Sequence, residues 1–226
     1  MLTRYTASAD TTIVNAYQLN LRTRGTGANM GEADVLETFS IYGRQQASSS
    51  TNQASQELSR ILIKFPTDKI STDRSAGTIP ASGNVSFYLK LFNAPHSKTV
   101  PRDYKIVAHP LTKNWNEGYG IDLDEFSDRD QSNWLSASAG VGWTSAGGDF
   151  NAAYLFEQEF VEGTEDMDID VTKYVEDVLN NSLNSGNNYG FVLMLTSSLL
   201  SNTNSYYTKK FSARESEFYM KRPVIE

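Results

Sequence analysis

The chain has 226 residues, contains no cysteine, and carries 20 basic against 27 acidic residues, for a formal charge of −7. That charge repels phosphate backbones, and the lack of cysteine excludes disulfides and thiol nucleophiles, so we expect neither a nucleic-acid partner nor a cysteine enzyme. Hydrophobic residues make up 39% of the sequence, enough for a substantial core, yet no stretch reaches the roughly 20 apolar residues of a membrane span, so a membrane partner is not expected.

A long polar segment occupies positions 44–57. From Gln45 to Gln56 its residues are small, polar and uncharged, and they offer too little apolar surface to join a core. One interpretation is a mobile surface loop, and the other is an arm that becomes ordered against a neighbouring subunit. We predict that this segment serves assembly rather than the fold.

Alternation of apolar and polar residues with a period of two follows this segment and predicts β-strands. In 60–65 the odd-numbered apolar residues share one face, and we expect the face that carries Arg60 and Lys64 to be solvated. The same alternation recurs in 85–91 and 104–109. The residues expected to face inward are Ile61, Ile63, Phe65, Val85, Phe87, Leu89, Leu91, Tyr104, Ile106 and Ala108.

The later part of the chain predicts one helix between further strands. Apolar residues from Tyr174 to Leu183 recur on one broad stripe, Thr172 is placed to cap the start, and Ser-Gly-Asn-Asn at 185–188 ends the pattern. The nearly all-apolar run 189–196 indicates a strand covered on both faces. We therefore expect one all-β domain over 1–226, an antiparallel β-sandwich with one short helix at about 172–184.

The end of the chain predicts an edge strand. Phe218 and Met220 alternate with polar neighbours, and Pro223 then stops the pattern. Proline is confined to edge strands or strand ends because it cannot donate a ladder hydrogen bond.

Neither histidine has the partners that nucleophilic catalysis requires. His96 lies in a polar turn, His109 precedes Pro110 at a strand end, and no Gly-x-Ser-x-Gly elbow accompanies either. Carboxylate pairs for glycoside hydrolysis could be drawn from 27 acids, but nothing marks any pair. We assign no catalytic residue and no cofactor, and we expect no enzyme activity.

Two acidic runs are the candidates for a cation site. The first, within 122–130, offers the oxygen ligands that calcium prefers but lacks the glycine of an EF-hand loop, so the alternative is an exposed acidic loop. The second is more simply a solvated turn leading to the positive end of the predicted helix. The first comprises Asp122, Asp124, Glu125, Asp128 and Asp130, and the second Glu162, Glu165, Asp166, Asp168 and Asp170. No residue is assigned to metal binding.

Aromatic residues on loops rich in glycine, asparagine and aspartate favour a sugar-binding surface, because such rings stack on sugar faces. The candidates are Trp115, Trp134, Trp143, Tyr119 and Tyr154. Large aromatic residues also dominate core packing, and we interpret Trp115 and Trp143 as core residues. Trp134 is left open between the two roles.

Nine short motifs follow one another along the chain. They are 9–13 (Ala-Asp-Thr-Thr-Ile), 29–31 (Asn-Met-Gly), 60–65 (Arg-Ile-Leu-Ile-Lys-Phe), 109–111 (His-Pro-Leu), 115–118 (Trp-Asn-Glu-Gly), 168–172 (Asp-Ile-Asp-Val-Thr), 188–193 (Asn-Tyr-Gly-Phe-Val-Leu), 211–215 (Phe-Ser-Ala-Arg-Glu) and 223–225 (Pro-Val-Ile). Their order and spacing resemble the DNRLRE-type domain, a jelly-roll-like sandwich related to carbohydrate-binding modules and found in surface and adhesion proteins. The resemblance implies a jelly-roll-like fold, no catalysis, and a binding or adhesion role.

Members of that family usually stand behind a signal peptide in long secreted chains, whereas this chain opens almost on its first predicted strand without an export signal. The departure favours a bacteriophage virion protein that is made in the host cytoplasm. We expect a non-enzymatic structural protein of the particle (a capsid decoration, collar, tail or fibre-attachment protein), present as a homo-oligomer or in many copies and docked to other virion proteins. The alternative is a carbohydrate-binding or adhesion module that recognises host or matrix glycans.

Overall fold

Two antiparallel sheets enclose one large apolar core in the computed structural model. The structure describes residues 2–20, 22–43, 55–97, 99–123, 130–201 and 206–226. Most of the polar segment 44–57 lies outside these ranges, as do Asp124, Glu125 and Asp128 of the first acidic run. An all-β, antiparallel sandwich was predicted, and the structure confirms that fold class.

Short strands make up most of the regular structure, with helices and 3-10 turns between them. In chain order the elements are β1 (Tyr5–Thr6), β2 (Ala9–Val14), β3 (Val35–Gly43), β4 (Ser55–Lys64), α1 (Thr67–Ser75), β5 (Tyr88–Leu91), β6 (Tyr104–Pro110), β7 (Ser136–Ser138), β8 (Val141–Gly142), β9 (Phe156–Phe160), β10 (Met167–Asp170), α2 (Thr172–Leu179), a 3-10 turn (Asn184–Gly186), β11 (Phe191–Leu195), α3 (Ser197–Leu200), β12 (Tyr206–Ser212), a second 3-10 turn (Tyr219–Lys221) and β13 (Val224–Ile225).

Strand β4 is the centre of the larger sheet, whose order is β12-β3-β4-β11-β6-β9. Its first residues pair with β3, and its later residues pair with β2 on one side and β11 on the other, with Ile61 opposite both Thr12 and Leu193. The smaller sheet has the order β1-β13-β5-β10. Strands β7 and β8 form a separate hairpin.

The predicted alternation holds in the strands of both sheets that line the main core. In β4, Ile61 and Ile63 are fully buried in the main core, and Ile106 and Ala108 of β6 and Leu89 of β5 join them. Helix α2 covers part of the same core with Tyr174, Val175 and Val178. Alternating strands bury one face in this way because successive side chains point to opposite sides of the sheet.

A second apolar cluster covers the outer face of the larger sheet. Leu62 of β4 and Val192 of β11 point away from the main core and are fully buried beneath residues of the segment 111–143. The face of β4 that carries Arg60 and Lys64 was expected to be solvated. That expectation is wrong for Leu62, which lies between them on the same face. The near-continuous apolar run in β11 has the same cause, since both faces of that strand are covered.

The predicted helix begins at Thr172, as expected, but it is shorter than the predicted range 172–184 and is not capped by the Thr172 side chain. Helix α2 ends at Leu179, and Leu183 is buried beyond it. Thr172 does not cap the helix, because its hydroxyl oxygen accepts a hydrogen bond from the Phe87 N–H at 2.8 Å; the Asp170 carboxylate instead accepts one from the Thr172 N–H at 2.8 Å. Helices α1 and α3 were not predicted, since their apolar residues form no periodic stripe.

The predicted C-terminal edge strand is also wrong. Phe218 and Met220 lie at the second 3-10 turn and are exposed, and the final strand β13 begins only after Pro223. Within the described residues, no helix combines the length and apolar character needed to cross a membrane.

Candidate functional site

Four of the sequence motifs meet around one carboxylate. Glu117 accepts hydrogen bonds from the Asp10 N–H at 2.7 Å and from the Arg214 guanidinium at 2.9 and 3.1 Å. Asp10 in turn accepts the Arg214 N–H at 2.7 Å, and the Asn29 side-chain amide donates to the Glu117 carbonyl at 2.6 Å. We call these residues, with Gly118, the motif junction. It joins positions more than 200 residues apart in sequence.

At Gly31 and Gly118, the backbone of the motif junction lies too close to neighbouring atoms to leave room for a Cβ. The Asn29 side chain accepts from the Gly31 N–H at 2.8 Å and donates to the Ser132 carbonyl at 2.8 Å. A Cβ on Gly118 would lie 2.3 Å from Asn29 Oδ1, and one on Gly31 would lie 2.3 Å from the Gly118 carbonyl oxygen. Arg214 pairs with Glu117 at 2.9 Å, so the junction ties together the loops that carry these residues.

Asp10 is the unusual member of the junction. It is fully buried, and its Oδ1 has no hydrogen-bond partner within the described residues. Burial raises the pKa of Asp10 to about 7, with Glu117 and Glu215 adding to the effect, while the Arg214 N–H and guanidinium oppose it. The folded state therefore binds a proton more tightly here than the unfolded chain does.

Replacing Asp10 by asparagine is expected to change how stability depends on pH. The pKa of Asp10 is higher in the folded state than in the unfolded chain, where it is near 4, so protonation of Asp10 stabilises the folded state fully below pH 4. This contribution to stability is lost as the pH rises towards 7. The Asp10→Asn variant lacks this loss, so its free energy of unfolding relative to wild type should rise between pH 4 and 7. Urea denaturation at four pH values measures the difference. Asp168→Asn, at a half-exposed carboxylate paired with Lys90, is the control, and identical trends for both variants would contradict the prediction.

The tryptophans belong to the second apolar cluster. Trp115, Trp134 and Trp143 are 3%, 6% and 8% exposed. The indole N–H of Trp115 donates to the Tyr189 carbonyl at 2.8 Å, and that of Trp143 donates to the Asn133 carbonyl at 2.9 Å. The interpretation of Trp115 and Trp143 as core residues is confirmed, and Trp134 proves to be one as well.

The remaining sugar and catalytic candidates are dispersed. Tyr119 is exposed, whereas the Tyr154 hydroxyl donates to Asp177 at 2.5 Å. His109 Nδ1 lies 2.7 Å from the Tyr154 carbonyl, and its ring stacks on Phe150 with centroids 4.9 Å apart. His96 lies in the loop between β5 and β6. These contacts give His109 a role in positioning the loop before β9.

The second acidic run is mostly exposed, as predicted for a solvated turn before a helix, and its carboxylates also make specific contacts. Asp166 accepts the Asn93 N–H at 2.7 Å, Glu165 accepts the Glu162 N–H at 2.7 Å, and Asp168 pairs with Lys90 at 3.2 Å. The run thus ties loops together, and the Asp170 carboxylate accepts a hydrogen bond from the first N–H of α2.

The first acidic run is only partly described, and of it Asp122 pairs with the backbone of Asn29 in an isolated bridge. In the described ranges, no three histidine or carboxylate side chains come close enough together to hold a metal ion. Calcium at 122–130 therefore stays an untested candidate, with an exposed acidic loop as the alternative.

Two adjoining cavities lie on the outer face of the larger sheet and share Arg60 and Phe150. One has a volume of about 560 Å³, and the other about 440 Å³. We call the pair the Arg60 groove. The first cavity is further lined by Thr112, Lys113, Thr144, Ser145, Ala146, Gly148 and Asp149, and the second by Val107, His109, Leu155, Glu157, Met194, Leu195, Thr196, Ser197 and Leu200. Both sizes fall in the range typical of small-ligand sites.

Sequence reasoning missed this groove because it treated Arg60 as a solvated strand residue. The guanidinium instead lies 5.2 Å from the Trp134 ring and 5.8 Å from the Phe150 ring, and Nη1 donates to the Gly147 carbonyl at 2.8 Å. Burial lowers the pKa of Arg60 to about 10. The glycines at 147 and 148, both with positive φ, were the signal of a tight loop, but nothing in the sequence placed that loop over β4.

A third cavity, of about 340 Å³, lies beside β1, β5 and β13. Its walls include Tyr5, Phe87 and Tyr88, and its cation Lys90 is paired with Glu226 at 2.8 Å. Since this cation already has a partner, the cavity offers mainly apolar surface.

Three exposed apolar residues lie next to one another at the second 3-10 turn. Phe218, Tyr219 and Met220 are 64%, 69% and 65% exposed, although they are consecutive and large. We call these three residues the C-terminal patch. Contiguous exposed apolar residues of this kind mark interaction surfaces more often than single ones do.

No protein-family model matches this sequence, and no curated protein matches it. The DNRLRE resemblance therefore stays a prediction from the motifs in the sequence alone.

Proposed function

We propose that this chain is a non-enzymatic structural protein of a bacteriophage particle, which docks onto other virion proteins as a capsid decoration, collar, tail or fibre-attachment component. The observation that carries the proposal is the C-terminal patch. Three adjacent large apolar side chains stand on a turn held between β12 and β13. Aromatic residues and methionine are enriched at protein interfaces, where their burial provides much of the binding energy.

The surroundings of the patch favour a preformed docking surface. The Arg222 guanidinium donates to the Ser216 carbonyl at 2.9 Å, and the Lys221 N–H donates to the Phe218 carbonyl at 2.7 Å, so the turn is tied at both ends. A surface that is ordered before binding loses less conformational entropy on association. Repeated copies on a symmetric particle then add avidity to each weak contact.

The triple variant Phe218→Ser, Tyr219→Ser, Met220→Ser is expected to fold with a nearly unchanged melting temperature, because the three side chains are mostly exposed. Its incorporation into particles should fall at least tenfold, measured by quantitative mass spectrometry of purified particles against wild type. The matched control is Leu19→Ser with Ile121→Ser, two exposed apolar residues elsewhere on the surface, at 70% and 65%. Equal incorporation of both variants, or absence of the wild-type chain from particles, would refute the proposal.

A second candidate function is glycan recognition, and the Arg60 groove is the observation that favours it. The groove combines the Phe150 ring with threonine and serine hydroxyls and a cation. Rings that pack on sugar faces and polar groups that bind hydroxyls are the usual elements of a sugar site. Binding of the purified chain to a glycan array, lost when Phe150 is replaced by alanine, would support this function.

A further inference from the structure

Arg60 carries a charge that the described part of the chain does not neutralise. Its guanidinium makes one hydrogen bond there, from Nη1 to the Gly147 carbonyl, and no ion pair, while Nε is buried without a partner. Removing a cation from water is costly unless an anion or several hydrogen bonds replace the hydration. The folded chain thus retains an incompletely satisfied guanidinium at the junction of two open cavities.

The carboxylates that line the groove are already engaged. Asp149 accepts hydrogen bonds from the Thr144 and Ser145 N–H groups, each at 2.9 Å, and pairs with Lys113 at 2.7 Å. Glu157 pairs with Lys105 at 2.9 Å. Among the charged side chains that line the groove, Arg60 is then the one without an ion pair to the described residues, on a chain whose formal charge is −7.

The position of the guanidinium is fixed before any ligand arrives. A Cβ on Gly147 would lie 2.9 Å from Arg60 Nη1 and 3.0 Å from a Trp134 ring carbon, so this loop packs directly against the guanidinium. Residue 147 also has φ of +90°, a conformation that glycine adopts without strain. A preorganised guanidinium binds a carboxylate with little loss of side-chain entropy.

We propose that the Arg60 groove binds a sugar that carries a carboxylate, with the carboxylate paired to Arg60 and the ring held against the apolar wall of the groove. This inference rests on the second candidate function and names its ligand class. Guanidinium and carboxylate match in geometry and charge. Hydroxyls of Thr112, Thr144 and Ser145 on one side and Thr196 and Ser197 on the other give the sugar hydroxyls partners. The carboxylate of an acidic peptide side chain would pair with Arg60, but it would leave most of these hydroxyls and the apolar wall without a contact.

The test is titration of the full chain with trigalacturonate and with 3′-sialyllactose, each compared with its neutral methyl ester. At least one acid should bind with an affinity tenfold or more above that of its ester, and added salt should weaken the binding. In NMR spectra, the indole signal of Trp134 and the ring signals of His109 should shift during the titration. Arg60→Met should weaken binding at least tenfold. Arg102→Met, the same substitution at an exposed arginine paired with Glu162, should bind like wild type.

Each other result overturns the inference in a recognisable way. Equal binding of acids and esters would leave glycan recognition standing but refute the role of the carboxylate. Binding of an oligo-aspartate peptide without binding of either sugar would make the groove a protein-docking site, and binding of none of these probes would refute the inference, while the glycan array decides the second candidate function. Should Arg60→Met fail to show a cooperative melt, the ester comparison and the NMR shifts on the wild-type chain decide the question, and shifts confined to residues outside the groove refute it.

Discussion

Replacing Ile63 by aspartate is expected to abolish the cooperative unfolding transition. Ile63 is fully buried on β4, where its neighbours across the sheet are Asp10 of β2 and Phe191 of β11. An aspartate there would place an uncompensated carboxylate in the main core, at a cost of several kcal/mol against a total stability of about 5–15 kcal/mol. Thermal and urea denaturation followed by circular dichroism would measure the loss.

The control for this variant is Ile121→Asp, the same substitution at an isoleucine that is 65% exposed, which should shift the melting temperature only slightly. Leu62→Asp should be as damaging as Ile63→Asp, because Leu62 is fully buried on the opposite face of β4. Similar melting temperatures for Ile63→Asp and Ile121→Asp would contradict the assignment of the main core.

Replacing Gly118 by alanine is expected to cost about 3 kcal/mol or more. Gly118 has φ of +90°, and the added Cβ would lie 2.3 Å from Asn29 Oδ1. The Asn29 side chain would have to move, and it would then lose its bonds to the Glu117 and Ser132 carbonyls. The variant therefore tests whether the motif junction holds the loops in place, and urea denaturation gives the change in free energy of unfolding.

Gly83→Ala separates backbone strain from the clash. Gly83 has φ of +83°, and a Cβ there would meet nothing within 4 Å. This variant should cost only the strain of a left-handed alanine, about 1–2 kcal/mol. The difference between the two variants reports the contact with Asn29, and a difference of zero would show that the junction tolerates the extra methyl group.

The strands of the main core were predictable because their pattern is local. A period of two placed Ile61, Ile63 and Leu89 on buried faces, and the structure confirms all three. The same reasoning failed at Phe218 and Met220, where two apolar residues in alternation lie on an exposed turn. Alternation shows which residues share a face of a strand, but it does not show whether the segment is paired with another strand.

The motif junction and the Arg60 groove were harder to predict, because both depend on contacts between segments that are far apart in the sequence. The motifs at 9–13, 29–31, 115–118 and 211–215 stand out in the sequence, but their contacts with one another require strands that are far apart along the chain. Arg60 is less conspicuous in the sequence, and the alternation in its strand led to the wrong prediction that its side chain is solvated. The ring of Trp134 and the backbone of Gly147 reach it from a loop more than 70 residues away.

By itself, the sequence determined the fold class, the strands of the main core and the helix after Thr172, since each depends on residues within one element. Only the tertiary structure decided that β4 is buried on both faces, that Asp10 is enclosed with Glu117 and Arg214, and that Arg60 lies between two cavities. Those outcomes depend on which loop covers the outer face of a sheet. That choice is made by long-range packing and hydrogen bonding, for which a local pattern of side chains carries no signal.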